Sequence, residues 1–237
     1  MEISHPKRNW ERRKNFHFKQ IIMMLFRKLC FLLLIPSGLF AQVFHFSDGE
    51  QNHRIIMDDS YLIETVYQQK DGAFAFTRGG FYQKSEKGIE VAFEFNSNYA
   101  QDSLKSLSYN DKDWSNVSKT DQALEGKWLM AGRVKAEGEQ RRDLNRSRKT
   151  MKLLLDGHFQ WTAFDTASMR FMGSGGGTYT AQGGKYIETL EYFSRDNSKV
   201  GKVLPFEFTL KENDWYHKGL NSKGQPMHEI WHKRTNQ

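Results

Sequence analysis

Two stretches of this chain repeat one another. RIIMDDSYLIETV, starting at Arg54, aligns with KLLLDGHFQWTAF, starting at Lys152, at an offset of 98 residues. A basic residue, three apolar residues and an aspartate recur in order, and Tyr61 falls on Phe159. After one deletion the match continues. RGGFY at 78–82 lies over GGGTY at 175–179, FEFNS at 93–97 over LEYFS at 190–194, and Asp113–Trp114 recurs as Asp214–Trp215. Self-similarity at a fixed offset marks a repeated structural unit, so the two halves are expected to build the same thing twice.

That thing is predicted to be β structure. Short runs such as YLIETVY, AFAFTRGGFY, IEVAFEF, YIETLEYF and LPFEFTL alternate apolar with polar residues and are separated by turn-forming stretches. Alternation of period two suits half-buried strands, and runs of this length with turns between them predict an all-β sandwich or barrel. The expected organisation is a leader over 1–41, a first antiparallel β unit over 42–120 and a second over 121–237.

The leader changes how the charge is read. Overall the chain carries a formal charge of +7, yet residues 1–41 hold eight Lys or Arg against two acids, leaving 27 basic and 26 acidic side chains in the rest. A near-neutral remainder argues against a nucleic-acid partner. In MMLFRKLCFLLLIPSGLFAQ, Arg27 and Lys28 precede an apolar run that ends before Pro36, Gly38 and Ala41, the pattern of a secretory signal cleaved after Ala41. The run is shorter than the roughly 20 apolar residues a membrane span needs, so no span is expected after cleavage. Export to the periplasm or beyond follows. The single cysteine, Cys30, lies in this leader, so the mature chain is expected to hold no disulfide and no thiol nucleophile.

The second unit opens with LEGKW at 124–128. A Gly126-x-Trp128 pair on a first strand, the later GGGTYTAQGGKYIETLEY, Val200–Gly201 and a closing EIW together resemble the lipocalin-like domains of uncharacterised membrane or secreted proteins of Bacteroidetes. The resemblance covers most of 121–237, and the first unit has no G-x-W. It implies that the second unit is a lipocalin-like barrel, with Gly126 permitting a close approach and Trp128 closing the floor. It also implies that the connection after the first strand lies over the cavity mouth.

That connection, VKAEGEQRRDLNRSRKT, is the most charged stretch outside the leader. Arg141, Arg142, Arg146 and Arg148 are expected to form a cationic lid, because a guanidinium fork can hold a carboxylate or sulfate with two hydrogen bonds. Aromatic residues on predicted strands, with Trp161 and Tyr216 foremost, offer flat faces with polar edges, as a sugar ring requires. The expected partner is therefore an acidic oligosaccharide, or another small anion, without metal or cofactor. In its sharper form the expectation is elimination at a uronate. Arg170 or a lid arginine would neutralise the carboxylate, His217 would take the adjacent proton, and Tyr179 would protonate the departing oxygen. Glu188 joins this candidate set if it points inward, where burial would favour its protonated form. The competing expectation is a non-catalytic barrel that carries a small apolar ligand or serves as an interaction module.

HEIWH at 228–232 spells the zinc-peptidase motif, which requires a helix so that both imidazoles share one face within reach of one ion. Gly224 and Pro226 just upstream and the few residues left after His232 predict a strand instead, on which the two histidines lie about 13 Å apart.

Overall fold

The computed structural model describes residues 42–86, 88–221 and 223–235. The leader, with Cys30 and the expected cleavage point, lies outside them. All described strand pairings are antiparallel and fall into two sheets. Among the described residues no helix is long and apolar enough to cross a membrane.

The first sheet comprises β1 (Gln42–Asp48), β2 (Gln51–Met57), β3 (Tyr61–Gln68), β4 (Phe74–Ser85), β5 (Gly88–Asn96), β6 (Ser106–Tyr109) and the two-residue β7 (Ser115–Asn116). A single helical turn, α1 (Tyr99–Asp102), leads from β5 to β6. The sheet order β6-β5-β4-β3-β2-β1-β7 leaves both edges free of each other, so this unit is an open sheet. It nevertheless curls. Side chains from β1 (Phe44) and β6 (Tyr109), five strands apart, both meet Trp114, at ring-centroid distances of 5.1 and 5.9 Å. The same concave side buries Glu64, whose carboxylate accepts hydrogen bonds from Arg78 and the Tyr109 hydroxyl and pairs with His53. Burial alone would raise its pKa, but these partners hold it below the ordinary value.

The second sheet contains β8 (Gly126–Lys135), β9 (Gly138–Arg141), β10 (Arg148–Leu155), β11 (His158–Asp165), β12 (Arg170–Gln182), β13 (Lys185–Phe193), β14 (Val203–Lys211), β15 (Asp214–Leu220) and β16 (Pro226–Lys233). Here β8 pairs with both β16 and β10, which closes eight strands into an up-and-down barrel, while β9 hangs on β8 outside the ring. Eight strands leave an interior just wide enough for side chains and one small ligand.

The repeat read in the sequence is a structural repeat. The hairpin β4–β5 shifts register at Gly79/Gly80, and β12–β13 shifts at the aligned Gly176/Gly177. In each hairpin a serine at the end of the second strand accepts from the first: Thr77 N–H to Ser97 Oγ, and Ser174 N–H to Ser194 Oγ, both at 2.9 Å. The two units are not separate domains. Val43, Ile56, Ile63 and Phe95 of the first sheet pack with Leu129, Met151, Leu153 and Phe164 of the barrel in one buried cluster. Each such side chain is worth about 1.5–3 kcal/mol on leaving water, so the shared cluster stabilises both units. At the same seam Arg54, 1 % exposed, donates to the Glu191 carboxylate and to His45 Nε2.

Candidate functional site

Alternation along the barrel strands decides which side chains face inward. On β10, Leu154, Lys152, Thr150 and Arg148 point into the barrel, while Met151, Leu153 and Leu155 pack on the first sheet. On β15, Trp215 and His217 point in and Tyr216 points out. At one end Leu124, Trp128, Tyr179, Tyr186 and Trp215 are buried against one another and pack the interior. The Trp128 indole N–H donates to the Leu124 carbonyl at 2.8 Å and ties the entering chain across that end. From mid-barrel to the other end the interior is a cavity of about 530 Å³.

The wall of this cavity is aromatic and aliphatic, with Trp161, Phe193, Phe206, Trp231, Leu190 and Met227 prominent. Its charges are one-sided: seven cations, Arg133, Arg142, Arg148, Lys152, Arg195, Lys199 and Lys202, face two acids, Glu188 and Glu229. Lys152 is spent on Glu188 at 2.7 Å, and Arg133 lies 3.5 Å from Glu229. Arg142, Arg148 and Lys202 have no carboxylate within ion-pair distance among the described residues. Burial, then the neighbouring Arg133 and Arg146, lowers the Arg142 pKa from its ordinary value, the sign of crowded like charges.

At mid-depth lies a buried polar layer. Glu188, 4 % exposed, accepts from Lys152 Nζ and from the Tyr186 hydroxyl at 2.8 Å. The Lys152 ammonium also sits 5.0 Å from the ring centroids of Tyr186 and Trp215, where the ring faces offset part of its lost hydration. Beside this pair is His217, 1 % exposed, stacked on Trp215 at 5.0 Å and edge-on to Phe206 at 4.3 Å. Burial, then Lys152 and His228, pushes its pKa well below the ordinary value, so the imidazole is neutral at pH 7. Neither of its nitrogens has a hydrogen-bond partner.

Of the residues expected from sequence, the cavity brings together His217, Glu188, Trp161, Arg142 and Arg148. The others lie elsewhere, each for a local reason. Tyr179 belongs to the filled end and is not on the cavity wall; burial, then Glu125 and Asp156, raises its pKa. Tyr216 faces outward because its neighbour His217 faces inward. It meets Arg141 and Glu139 on the outer surface, with its hydroxyl donating to Glu139 at 2.6 Å. Arg141 is held there by Glu139 and by Asp214 at 2.7 Å.

The expected lid is therefore mostly a hairpin. Gly138, at φ +114°, turns the chain so that β9 runs back along β8, and only the following loop reaches the cavity. Arg146 lines a small depression beside the mouth with Arg142 and Arg148, and its Nε donates to the Arg148 carbonyl. Arg170 is exposed at the tip of the β11–β12 hairpin. That tip leans on the first unit through Met169 and through Phe171, which stacks on Phe74 at 5.7 Å, drawing Arg170 from the mouth.

Sequence reasoning missed Lys152, Arg133, Arg195, Lys199 and Lys202, whereas Trp231, one of the aromatics on predicted strands, does line the cavity. Lys152 carried a signal, since it aligns with Arg54 and sits between Met151 and Leu153 at a position that alternation turns inward. The HEIWH segment is strand β16, with Glu229 and Trp231 on the cavity wall. Among the described residues no three His, Cys, Asp or Glu side chains gather as a metal site would require. A scan against protein-family models gives no match to this chain, and a search of curated proteins gives no significant one.

Proposed function

We propose that the barrel binds a small organic anion. Its charged group is held by the arginines and lysines of the mouth, and its body lies against the aromatic wall. The observation that carries this reading is the excess of cations, several without an acidic partner, around a wall that is otherwise largely apolar. A purely apolar ligand would leave those cations with nothing to offset their partial desolvation, whereas a carboxylate or sulfate takes two hydrogen bonds from each guanidinium. The cavity volume falls in the range of roughly 300–1,000 Å³ that suits one small molecule. Within the class expected from sequence, a short uronate- or sulfate-bearing sugar fits this description, and a long oligosaccharide is disfavoured because the barrel is closed at its far end. Elimination chemistry needs a proton donor facing His217 across the substrate, and Tyr179 does not line the cavity, so binding rather than catalysis is the reading put forward. For an exported chain, capture would take place outside the cytoplasm.

Two matched fluorescent probes test it. Anilinonaphthalenesulfonate carries a sulfonate, and phenylnaphthylamine has the same rings without charge. The sulfonate is expected to bind more tightly by about one to two powers of ten, as charge-assisted hydrogen bonds imply. The preference should shrink in an Arg142→Ala/Arg148→Ala/Lys202→Ala variant and with added salt. Equal or tighter binding of the neutral probe would instead identify a carrier for apolar ligands.

A further inference from the structure

We infer that His217 reads a hydroxyl group on the ligand, so that the molecule this cavity takes is a hydroxylated organic anion with its charge at the mouth and its hydroxyl at mid-barrel. The inference rests on the anion-binding reading and adds to it the chemistry of the ligand's other end.

Three observations carry it. The first is that both imidazole nitrogens of His217 are buried and unpartnered while the residue lines the cavity, so that a turn of the ring toward the cavity presents one of them to a ligand. A buried polar group without a partner costs about 1–3 kcal/mol, a penalty native interiors rarely keep without a reason. Packing does not supply that reason, because a phenylalanine would stack on Trp215 and meet Phe206 as well, with nothing left unpaired. The second is the ring's charge state. A neutral imidazole has a donor at one nitrogen and an acceptor at the other, and a hydroxyl can pair with whichever of the two it meets. A bare carboxylate or sulfate only accepts and can pair with the donor nitrogen alone, while the neighbouring Lys152 is already committed to Glu188. The third is that Trp231, also on the cavity wall and on the strand that pairs with β15, has an unpartnered indole N–H. Trp231 stands opposite Trp215, two residues nearer the packed end than His217, so a second idle donor lies one step deeper in the wall.

Depth sets the length of the ligand. From His217 to Leu220 at the mouth, β15 rises three residues, about 10 Å. Decanoate and ω-hydroxydecanoate span that depth and differ only in the group that would meet His217. Their affinities are read by tryptophan fluorescence, for which Trp215 and Trp231 beside the site are built-in reporters. In the native protein the hydroxylated acid is expected to bind about tenfold more tightly. His217→Phe should bring the two acids to the same affinity, and His217→Gln, which restores a donor and an acceptor, should retain part of the preference. Equal affinities in the native protein, or a preference that survives in His217→Phe, overturn the inference and leave the anion-binding reading standing. If neither acid binds while the neutral naphthylamine does, both readings fall.

Discussion

At the scale of single residues, adjacency and alternation account for most of the differences between expectation and structure. Tyr216 and His217 are neighbours on one strand, as are Arg141 and Arg142 at the end of β9, and in each pair only one member can face the barrel interior. The outward member of each pair joins the surface network of Glu139, Asp214 and Tyr216. The buried pair Lys152–Glu188 has a predictable energetic signature. Replacing Glu188 by Gln leaves an ammonium uncompensated in the interior and should destabilise the fold by about 3 kcal/mol or more in a urea titration. Replacing both partners, as Lys152→Met/Glu188→Leu, should recover most of that loss, because the desolvation cost then disappears with the charge.

At the scale of elements, the repeated hairpins depend on a glycine at which two backbones touch. A Cβ on Gly177 would collide with the Thr189 carbonyl oxygen, and one on Gly80 with that of Ala92. Both atoms belong to the partner strand's backbone and cannot rotate away. Gly177→Ala and Gly80→Ala should therefore each cost about 1–3 kcal/mol, the usual penalty of overpacking, measurable as a lowered Tm. Only the Gly177 variant should also weaken probe binding, since β12 and β13 belong to the barrel and β4 and β5 do not. The aligned GG and GGG stretches are visible in the sequence as part of the repeat, whereas the path of β9 along the outside of β8 depended on pairing partners that local sequence does not name.

At the scale of the whole molecule, the seam between sheet and barrel makes stability depend on pH. Burial, followed by Arg54, lowers the pKa of His45 to about 3 and that of His158 to about 4. Arg54 Nε donates to His45 Nε2 at 2.9 Å, which requires that nitrogen to stay unprotonated. Unfolded, both histidines titrate near 6.5, so between pH 6.5 and about 4 the unfolded chain binds more protons than the folded one. Stability from this source is fully present above pH 6.5 and is lost as the pH falls toward 4. Thermal unfolding followed from pH 7 to 5 should show a falling Tm. His45→Gln, which keeps an acceptor for Arg54 but cannot titrate, should flatten that fall.

The sequence by itself determined the duplicated β unit, the strand identity of HEIWH and the aromatic filling of the second unit. Each follows from the period-two pattern or from self-similarity, which are properties of the chain read locally. That the second unit closes was expected from the motifs around Gly126 and Trp128, but tertiary structure decided how it closes, because closure depends on β8 finding both β10 and β16 across the barrel. It also decided which of the charged residues converge. Arg195 and Lys202 are more than 50 positions from Arg142 in the chain, and only the curvature of an eight-stranded ring brings them round one mouth.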